Sequence, residues 1–352
     1  MNSKQLRTLK IVIFSLLGAT ILVGAGYILF TWNKPINPAL DLPTEIPIAV
    51  VSETPELTAG ESPTSEPSST PTIEPVCGAP PTINVLISGV ASNSYLYGLA
   101  DAVRVARIDF QQKNVTVLAL PRDLWVEIPG LENRGITAGK LNQAYFYGTE
   151  GMGYYSGSGF GSGLLAETLL SDYGYRADRY LAVNLSSFRI IINTLGGIDV
   201  YLPQDVYKRV NDQPKLFLAA GSHHLNGKQA EMLARNRITI GDFGRIDNQT
   251  IILRAVAAKL ISPAGVAALP NLVEGLKSNV QTDLSPADIS QLICLAGMLD
   301  TKEDITFVTI PADMMEEQMV FDSTRNINTA ALVADQDQIR QLMSDFQQGI
   351  WP

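Results

Sequence analysis

Residues 11–30 form a run of twenty positions without a charged side chain. A helix of that length spans the hydrocarbon core of a bilayer. Everything after it must then fold on one side of a membrane. Lys4, Arg7 and Lys10 precede the run, and basic flanks favour the cytoplasmic side. Trp32 sits where an interfacial aromatic belongs. A cleaved signal peptide is the rival reading, but the run is long for one and no clean small-x-small site follows it. The expectation is a cytoplasmic tail over residues 1–10, a transmembrane anchor over 11–30 and an extracytoplasmic remainder held to the cell membrane by a single pass.

Residues 31–80 are rich in Pro, Thr, Ser and Glu, as in Glu61-Ser-Pro-Thr-Ser-Glu-Pro. Such a segment cannot bury a core and reads as an extended linker. The first 34 residues carry +4, so against a whole-chain charge of −9 the remainder carries −13. An outer region this acidic argues against nucleic acid as a partner. It also makes any local cluster of arginines informative. Cys77 and Cys294 are the two cysteines, and only His223 and His224 are present. No zinc spacing exists. In an oxidising compartment the cysteines could form a disulfide, and two separate thiols remain the alternative.

The folded part reads as one domain over residues 81–349. Short apolar runs at 82–90, 102–109, 114–120, 179–184, 198–202 and 305–310 read as strands. Pro121, Pro203 and Pro311 end three of them. Helical periodicity appears at 164–170, 187–195, 251–260 and near the C-terminus. Ser285 with Pro286 marks a further helix start, and Asn226 with Gln229 another. Strands alternating with helices give an α/β class, with layers around a mixed sheet. Residues 148–163 are Gly-rich and read as a loop, with a lid over a pocket as the functional alternative. They lack the context of a nucleotide-binding motif.

One stretch concentrates chemistry. Residues 235–249 hold Arg235, Arg237 and Arg245 beside Asp242, Asp247, Asn236, Asn248 and Gln249, in a loop between two packed helices. Guanidinium groups are permanently charged forks suited to phosphate oxygens. Gln249 falls one helical turn past Arg245, on the same face. Arg122 and Asp123 follow a strand directly, at the end where open α/β sheets place ligands. Arg104, by strand alternation from Asp101, is expected on the opposite face from it.

In this order, segments 83–89, 98–109, 120–123, 140–147, 188–203, 225–237 and 242–249 resemble the LytR-CpsA-Psr family of bacterial cell-envelope proteins. The resemblance implies an α-β-α sandwich around a mixed central sheet, with an apolar groove for a polyprenyl chain. It implies a phosphotransferase that moves a glycopolymer from polyprenyl pyrophosphate to a peptidoglycan or other wall hydroxyl, with Mg²⁺. Carried over position by position, Arg122, Arg245 and Asp101 are the catalytic candidates. Arg122, Arg235, Arg237, Arg245 and Gln249 match pyrophosphate-binding positions, and Asp101 matches a metal ligand. Asp242 and Lys140 match positions that build the site.

The chain departs from the family pattern at several points. Ala91 stands where a second metal carboxylate is usual, and Leu99 and Asn248 stand where arginines are. Ala100, Ala102 and Leu124 replace hydroxyl residues. Removing a charge-assisted hydrogen bond costs about 1.5–3 kcal/mol. A weakened polyprenyl-phosphate-binding or regulatory envelope protein is therefore the alternative function. A purely structural ectodomain, its arginines engaged only in salt bridges, is the third. Asp242 and Asp247 are too few to pair with all of those arginines.

Overall fold

The computed structural model of the chain describes residues 31–43, 74–238, 241–267, 272, 279–300 and 303–350. The expected anchor at 11–30 and the middle of the expected linker lie outside these residues. Among the described residues no helix is long and apolar enough to cross a membrane.

The strands and helices follow in chain order. β1 (Thr82–Val90), β2 (Ala100–Asp109), β3 (Asn114–Leu120), β4 (Trp125–Glu127) and β5 (Ala138–Lys140) precede helices α1 (Leu141–Tyr147) and α2 (Phe160–Tyr173). Next come β6 (Arg179–Asn184), α3 (Leu185–Thr194), β7 (Ile198–Leu202), β8 (Val206–Val210), β9 (Gln213–Leu218) and β10 (Gly221–Leu225). Helices α4 (Gly227–Ala234) and α5 (Gly241–Ile261) lead to β11 (Gln281–Thr282), α6 (Pro286–Ala296) and β12 (Ile305–Thr309). β13 (Met315–Asp322), β14 (Ile327–Ala334) and α7 (Gln336–Gln348) close the chain.

The central sheet has six strands in the order β11-β6-β1-β2-β3-β12. β6 is parallel to β1 and β12 to β3, while β2 runs antiparallel to both its neighbours. The sheet is therefore mixed, as expected. Period-two alternation divides its side chains between two faces. Leu86, Val90, Val103, Val105, Leu118 and Leu120 pack with α1, α2 and α7 into one core. On the other face Val85, Ala106, Ile108 and Val117 pack around Leu295 of α6. That second core fills one end of the face. The other end, toward the C-terminus of β1, is roofed by α3 and α5 and stays open as a cavity.

Several local features follow the sequence closely. Asn226 accepts from the Gln229 backbone and Gln229 returns the bond, and Ser285 does the same with Asp288. These reciprocal caps satisfy backbone donors that the first helical turn leaves orphaned. Cys77 and Cys294 form a disulfide with Cα atoms 5.9 Å apart, tying the turn before β1 to α6.

Other features differ from expectation. The linker start is bound to the domain: Ile36 and Asn37 donate backbone bonds to Leu284 and Thr282, and Leu42 is buried. The Gly-rich stretch is a loop as far as Gly159, as expected, but runs on into the first turn of α2 and does not border the cavity, which leaves the lid alternative without support. Its glycines let α1 and α2 meet, because a Cβ on Gly161 would lie 2.7 Å from the Tyr145 carbonyl and one on Gly148 2.7 Å from Leu164 Cβ. The β8–β9 hairpin was not anticipated. Its strands are largely exposed, so they carry little hydrophobic alternation. Its turn residues Asn211 and Asp212 have φ of 48° and 58°, the backbone a two-residue hairpin requires.

One buried carboxylate makes stability depend on pH. Asp172 accepts from the Glu127 backbone N–H at 2.8 Å, and burial pushes its pKa up from 3.8 to about 6. The folded state then holds this proton more tightly than the unfolded chain does. This stabilisation is full below about pH 3.8 and is lost as pH rises through about 6. Asp172→Asn, whose carbonyl still accepts from Glu127, is expected to flatten this fall. Chemical-denaturation curves at pH 4 and pH 7 measure it, and an unchanged slope refutes the assignment.

Candidate functional site

The cavity has a volume of about 560 Å³, within the range of small-molecule sites. Its walls are mainly apolar. Ile87 comes from the sheet, Phe188 and Ile191 from α3, and Ile252, Leu253 and Val256 from α5. Arg235, Arg237, Arg245, Asp101 and Gln249 border the same space. Five of the six expected site residues therefore converge on it. Arg122 is not among its lining residues.

Secondary structure explains the convergence. β1 and β3 run toward the mouth and β2 starts there, so Asp101 and the Arg122–Asp123 pair lie at one edge. Helix α5 begins at Gly241, ten residues before the apolar periodicity that announces it. Arg245 and Gln249 thus project from a helix, and the loop is shorter than the sequence suggests. Gly241 has φ of 63°, a conformation that costs glycine little.

The mouth is an ion-pair network. Arg122 Nη1 donates to Asp101 at 2.6 Å, its Nε and Nη2 to Asp242 at 3.3 Å, and Nε lies 3.2 Å from Asp123. Lys140 Nζ donates to Asp123 at 2.8 Å. Arg237 lies 3.4 Å from Asp242 and 3.7 Å from Asp101. Arg245 lies 3.7 Å from Asp242 and 3.9 Å from Asp101. Arg235 pairs with Glu231 at 3.0 Å, and Gln249 donates to the Ala234 carbonyl, fastening α5 to the end of α4. Arg122 is the organiser behind the mouth: it orients the carboxylates that face Arg237 and Arg245.

The charges here are perturbed in ways that follow from this packing. Burial opposes the charge on Arg122, but Asp101, Asp123 and Asp242 outweigh it and raise its pKa. Asp123 is desolvated too, yet hydrogen bonds from Asp242 and Lys140 and the Arg122 charge hold it at about 2. Asp242 is pushed up by burial and by Asp123, so of the two it takes a proton first. Arg245 is pulled down by burial and then by Arg122. Its side chain is 2% exposed, and Nε and Nη1 have no hydrogen-bond partner. An unmet donor on a buried charge is costly, and an anionic ligand would relieve it.

Arg104 overturns the alternation argument. It borders the same cavity as Asp101. The β1–β2 register shifts at this point, from Gly89↔Ala102 to Val90↔Ala100, which leaves Asp101 as an extra residue. Such a bulge resets the face on which every later side chain lies. Glu231 was also missed. It lines the cavity and holds Arg189 at 2.5 Å as well as Arg235. Its spacing four residues before Arg235 was the available signal. Of the three main departures, Ala91 borders the cavity, whereas Leu99 and Asn248 do not.

Asp101 is a hard oxygen donor on the cavity wall, as Mg²⁺ requires, and Ala91 adds none. Among the described residues no group of three or more His, Cys, Asp or Glu is arranged to hold a metal. Mg²⁺ is commonly bound through one or two carboxylates with ligand phosphates and water, and Asp101 is a carboxylate on the cavity wall.

Solved structures share this architecture. A crystal structure of B. subtilis TagV superposes with a TM-score of 0.59 at 24% identity, covering 76% of this chain and 97% of that one. A structure of TagT bound to LIIa-WTA gives 0.56 at 19% identity, covering 76% and 91%. In sequence, the chain is 31% identical over 191 residues to the Bacillus subtilis polyisoprenyl-teichoic acid–peptidoglycan teichoic acid transferase TagV, which covers 53% of this chain and 45% of that protein. It is 26% identical over 267 residues to the regulatory protein MsrR of Staphylococcus aureus, 75% and 74% of the two chains. Residues 57–347 match the LytR_cpsA_psr family throughout, and with a mixed sheet, an apolar cavity and an arginine-ringed mouth in place the chain belongs to that family.

Proposed function

We propose that this chain is a membrane-anchored transferase that moves a glycopolymer from polyprenyl pyrophosphate to a hydroxyl of peptidoglycan. The observation that carries the reading is the cavity itself: a mainly apolar interior bordered by Arg235, Arg237 and Arg245. Few ligands need both a greasy tunnel and a cluster of phosphate-binding forks. The teichoic acid transfer attributed to TagV supports it. The Cys77–Cys294 disulfide supports an extracytoplasmic position for the domain, with residues 11–30 as its anchor.

In this reading the acceptor oxygen bonds to the sugar-bearing phosphorus while the bond to the bridging oxygen breaks. Prenyl monophosphate leaves and the acceptor's proton passes to a carboxylate at the mouth. Phosphoryl transfer of this kind depends on positioning and on charge stabilisation of the equatorial oxygens. Arg245 and Arg237 supply the charge, and Arg122 fixes Asp101 and Asp242 so that the site is preorganised. Mg²⁺, held by Asp101 and the donor's phosphates, would add Lewis-acid stabilisation.

A lipid-carrier role is the second reading, favoured by Ala91 on the cavity wall where a second carboxylate would stand. One experiment separates the two. The full-length chain, purified in detergent, is expected to carry prenyl phosphate detectable by mass spectrometry. Leu253→Trp, which fills the tunnel, is expected to lose it. Release of prenyl monophosphate from a lipid-linked glycopolymer then distinguishes transferase from carrier. A chain that neither retains nor binds prenyl phosphate refutes both.

A further inference from the structure

Arg104 is a cation in the wrong place for a purely greasy tunnel. It lies within β2, is 2% exposed and borders the cavity. Its Nη2 donates to the Ile246 carbonyl at 3.2 Å and to Thr250 Oγ1 at 3.1 Å. Its Nε and Nη1 have no partner. Burial, only partly offset by Asp247, lowers its pKa to about 10, so it remains charged at neutral pH. Nothing in the ion-pair network of the mouth neutralises it.

Its depth is set by helix α5. Thr250 lies five residues beyond Arg245, about 7.5 Å farther along the helix axis. Ile246, its other partner, lies one residue beyond Arg245, so the Arg104 guanidinium sits between about 1.5 and 7.5 Å inward of Arg245 along α5. The wall between is low. Gly89 and Ala102 pair across β1 and β2, Ala91 is close by, and all three border the cavity. None carries a side chain larger than a methyl group, so little side-chain bulk stands between the mouth and Arg104. Level with Arg104 in the sheet stand the apolar Ile87 and Leu181, and Leu284 and Ile289 add further apolar lining. A hydrocarbon laid past Arg104 would leave two donors of a buried charge unmet, which is unfavourable. An anionic oxygen there would satisfy them.

We propose that Arg104 forms the floor of the head-group site and takes the phosphate attached to the prenyl chain, while Arg235, Arg237 and Arg245 take the sugar-bearing phosphate at the mouth. This deepens the transferase reading and rests on it. The pyrophosphate is strung along the tunnel axis, one phosphate at each level, with the prenyl tail beyond Arg104. The guanidinium inside the tunnel offsets the absence of arginine at Leu99 and Asn248. A structural role limited to tying β2 to α5 is the competing account, and it makes different predictions.

The test is calorimetric titration of the full-length chain in detergent with farnesyl monophosphate, farnesyl pyrophosphate and farnesol. The unmutated chain is expected to bind both phosphates more tightly than the alcohol. Arg104→Met is expected to weaken monophosphate binding roughly 10- to 150-fold, as removal of a charge-assisted hydrogen bond would. Arg237→Ala is expected to weaken pyrophosphate binding while leaving the monophosphate within about threefold. Monophosphate binding that survives Arg104→Met and is lost in Arg237→Ala overturns the proposal and leaves the transferase reading intact. Failure of the unmutated chain to bind either phosphate defeats the transferase reading itself. If the Met variant does not fold, a co-crystal structure of the unmutated chain with farnesyl monophosphate decides. Phosphate oxygen bonded to Arg104 Nε or Nη1 supports the assignment, and phosphate at the mouth with Arg104 untouched ends it.

Discussion

Replacing Arg245 with methionine is expected to cut glycopolymer transfer by two to four orders of magnitude while leaving the protein as stable as before, or more so. The two effects have one cause. Arg245 is almost fully buried, and two of its nitrogens make no hydrogen bond within the protein. Its nearest carboxylates, Asp242 and Asp101, stand at 3.7 and 3.9 Å, too far for hydrogen bonds. Those carboxylates keep Arg122 and Arg237 when Arg245 is gone. Folding therefore carries the desolvation of this charge with little return, and an apolar residue of similar volume removes that burden. In the transition state the balance reverses. Charge spreads over the oxygens of the transferring phosphoryl group, and Arg245, on the cavity border, has two donors without a protein partner to offer it. Two charge-assisted bonds at about 1.5–3 kcal/mol each correspond to roughly 10²- to 10⁴-fold in rate. Thermal melting and release of prenyl monophosphate, measured on the same preparation, check both halves. A variant that transfers within threefold of the unmutated chain would show that Arg245 is not used. A large fall in melting temperature would show instead that it braces the fold.

The sheet was legible because its strands obey simple rules. Residues 82–90, 114–120, 179–184 and 198–202 carry apolar runs with clear ends, and each is a strand with those bounds. The arginine ring was legible for a different reason. Arg235, Arg237, Arg245 and Gln249 lie within one short stretch, so local geometry brings them near one another without long-range information. Arg104 was misplaced because face assignment from alternation assumes an unbroken ladder. The extra residue at Asp101 reverses parity, and a bulge is set by pairing between strands rather than by either strand alone. Arg122 stands at the mouth, where its place directly after a strand puts it, but its ion pairs were not legible. Only the three-dimensional arrangement reveals that Asp101 and Asp242, from distant segments, join the adjacent Asp123 around it. The exposed β8–β9 hairpin left almost no hydrophobic pattern, and only its Asn211-Asp212 turn signalled it.

Removing the disulfide is expected to have the largest effect on stability of any single change. Cys77 and Cys294 are 217 residues apart in sequence. In the chain-entropy account, cross-linking a loop this long restricts the unfolded chain by about 5 kcal/mol, and measured losses for native disulfides run at about 2–5 kcal/mol. For a domain of this size that corresponds to a melting temperature lower by roughly 5–20 °C. Cys77→Ser with Cys294→Ser should show it, and the unmutated chain in reductant should match. A shift under 2 °C in both would mean that the bond constrains neither state. The bond also holds α6 against the sheet, where Leu295 packs with Val85, Ala106 and Ile108. The same helix carries Ile289 on the cavity wall and Asp288, which binds Arg179 of β6 at 3.1 Å. Prenyl phosphate binding therefore separates two ways the disulfide can act. If it works only on the unfolded chain, the reduced protein melts earlier but binds the lipid as before. If α6 loosens in the folded state, affinity falls as well, because the floor of the tunnel no longer keeps its shape. The Arg179–Asp288 pair and the Ser285 cap also hold α6 and do not involve either cysteine, so the first outcome is the one expected.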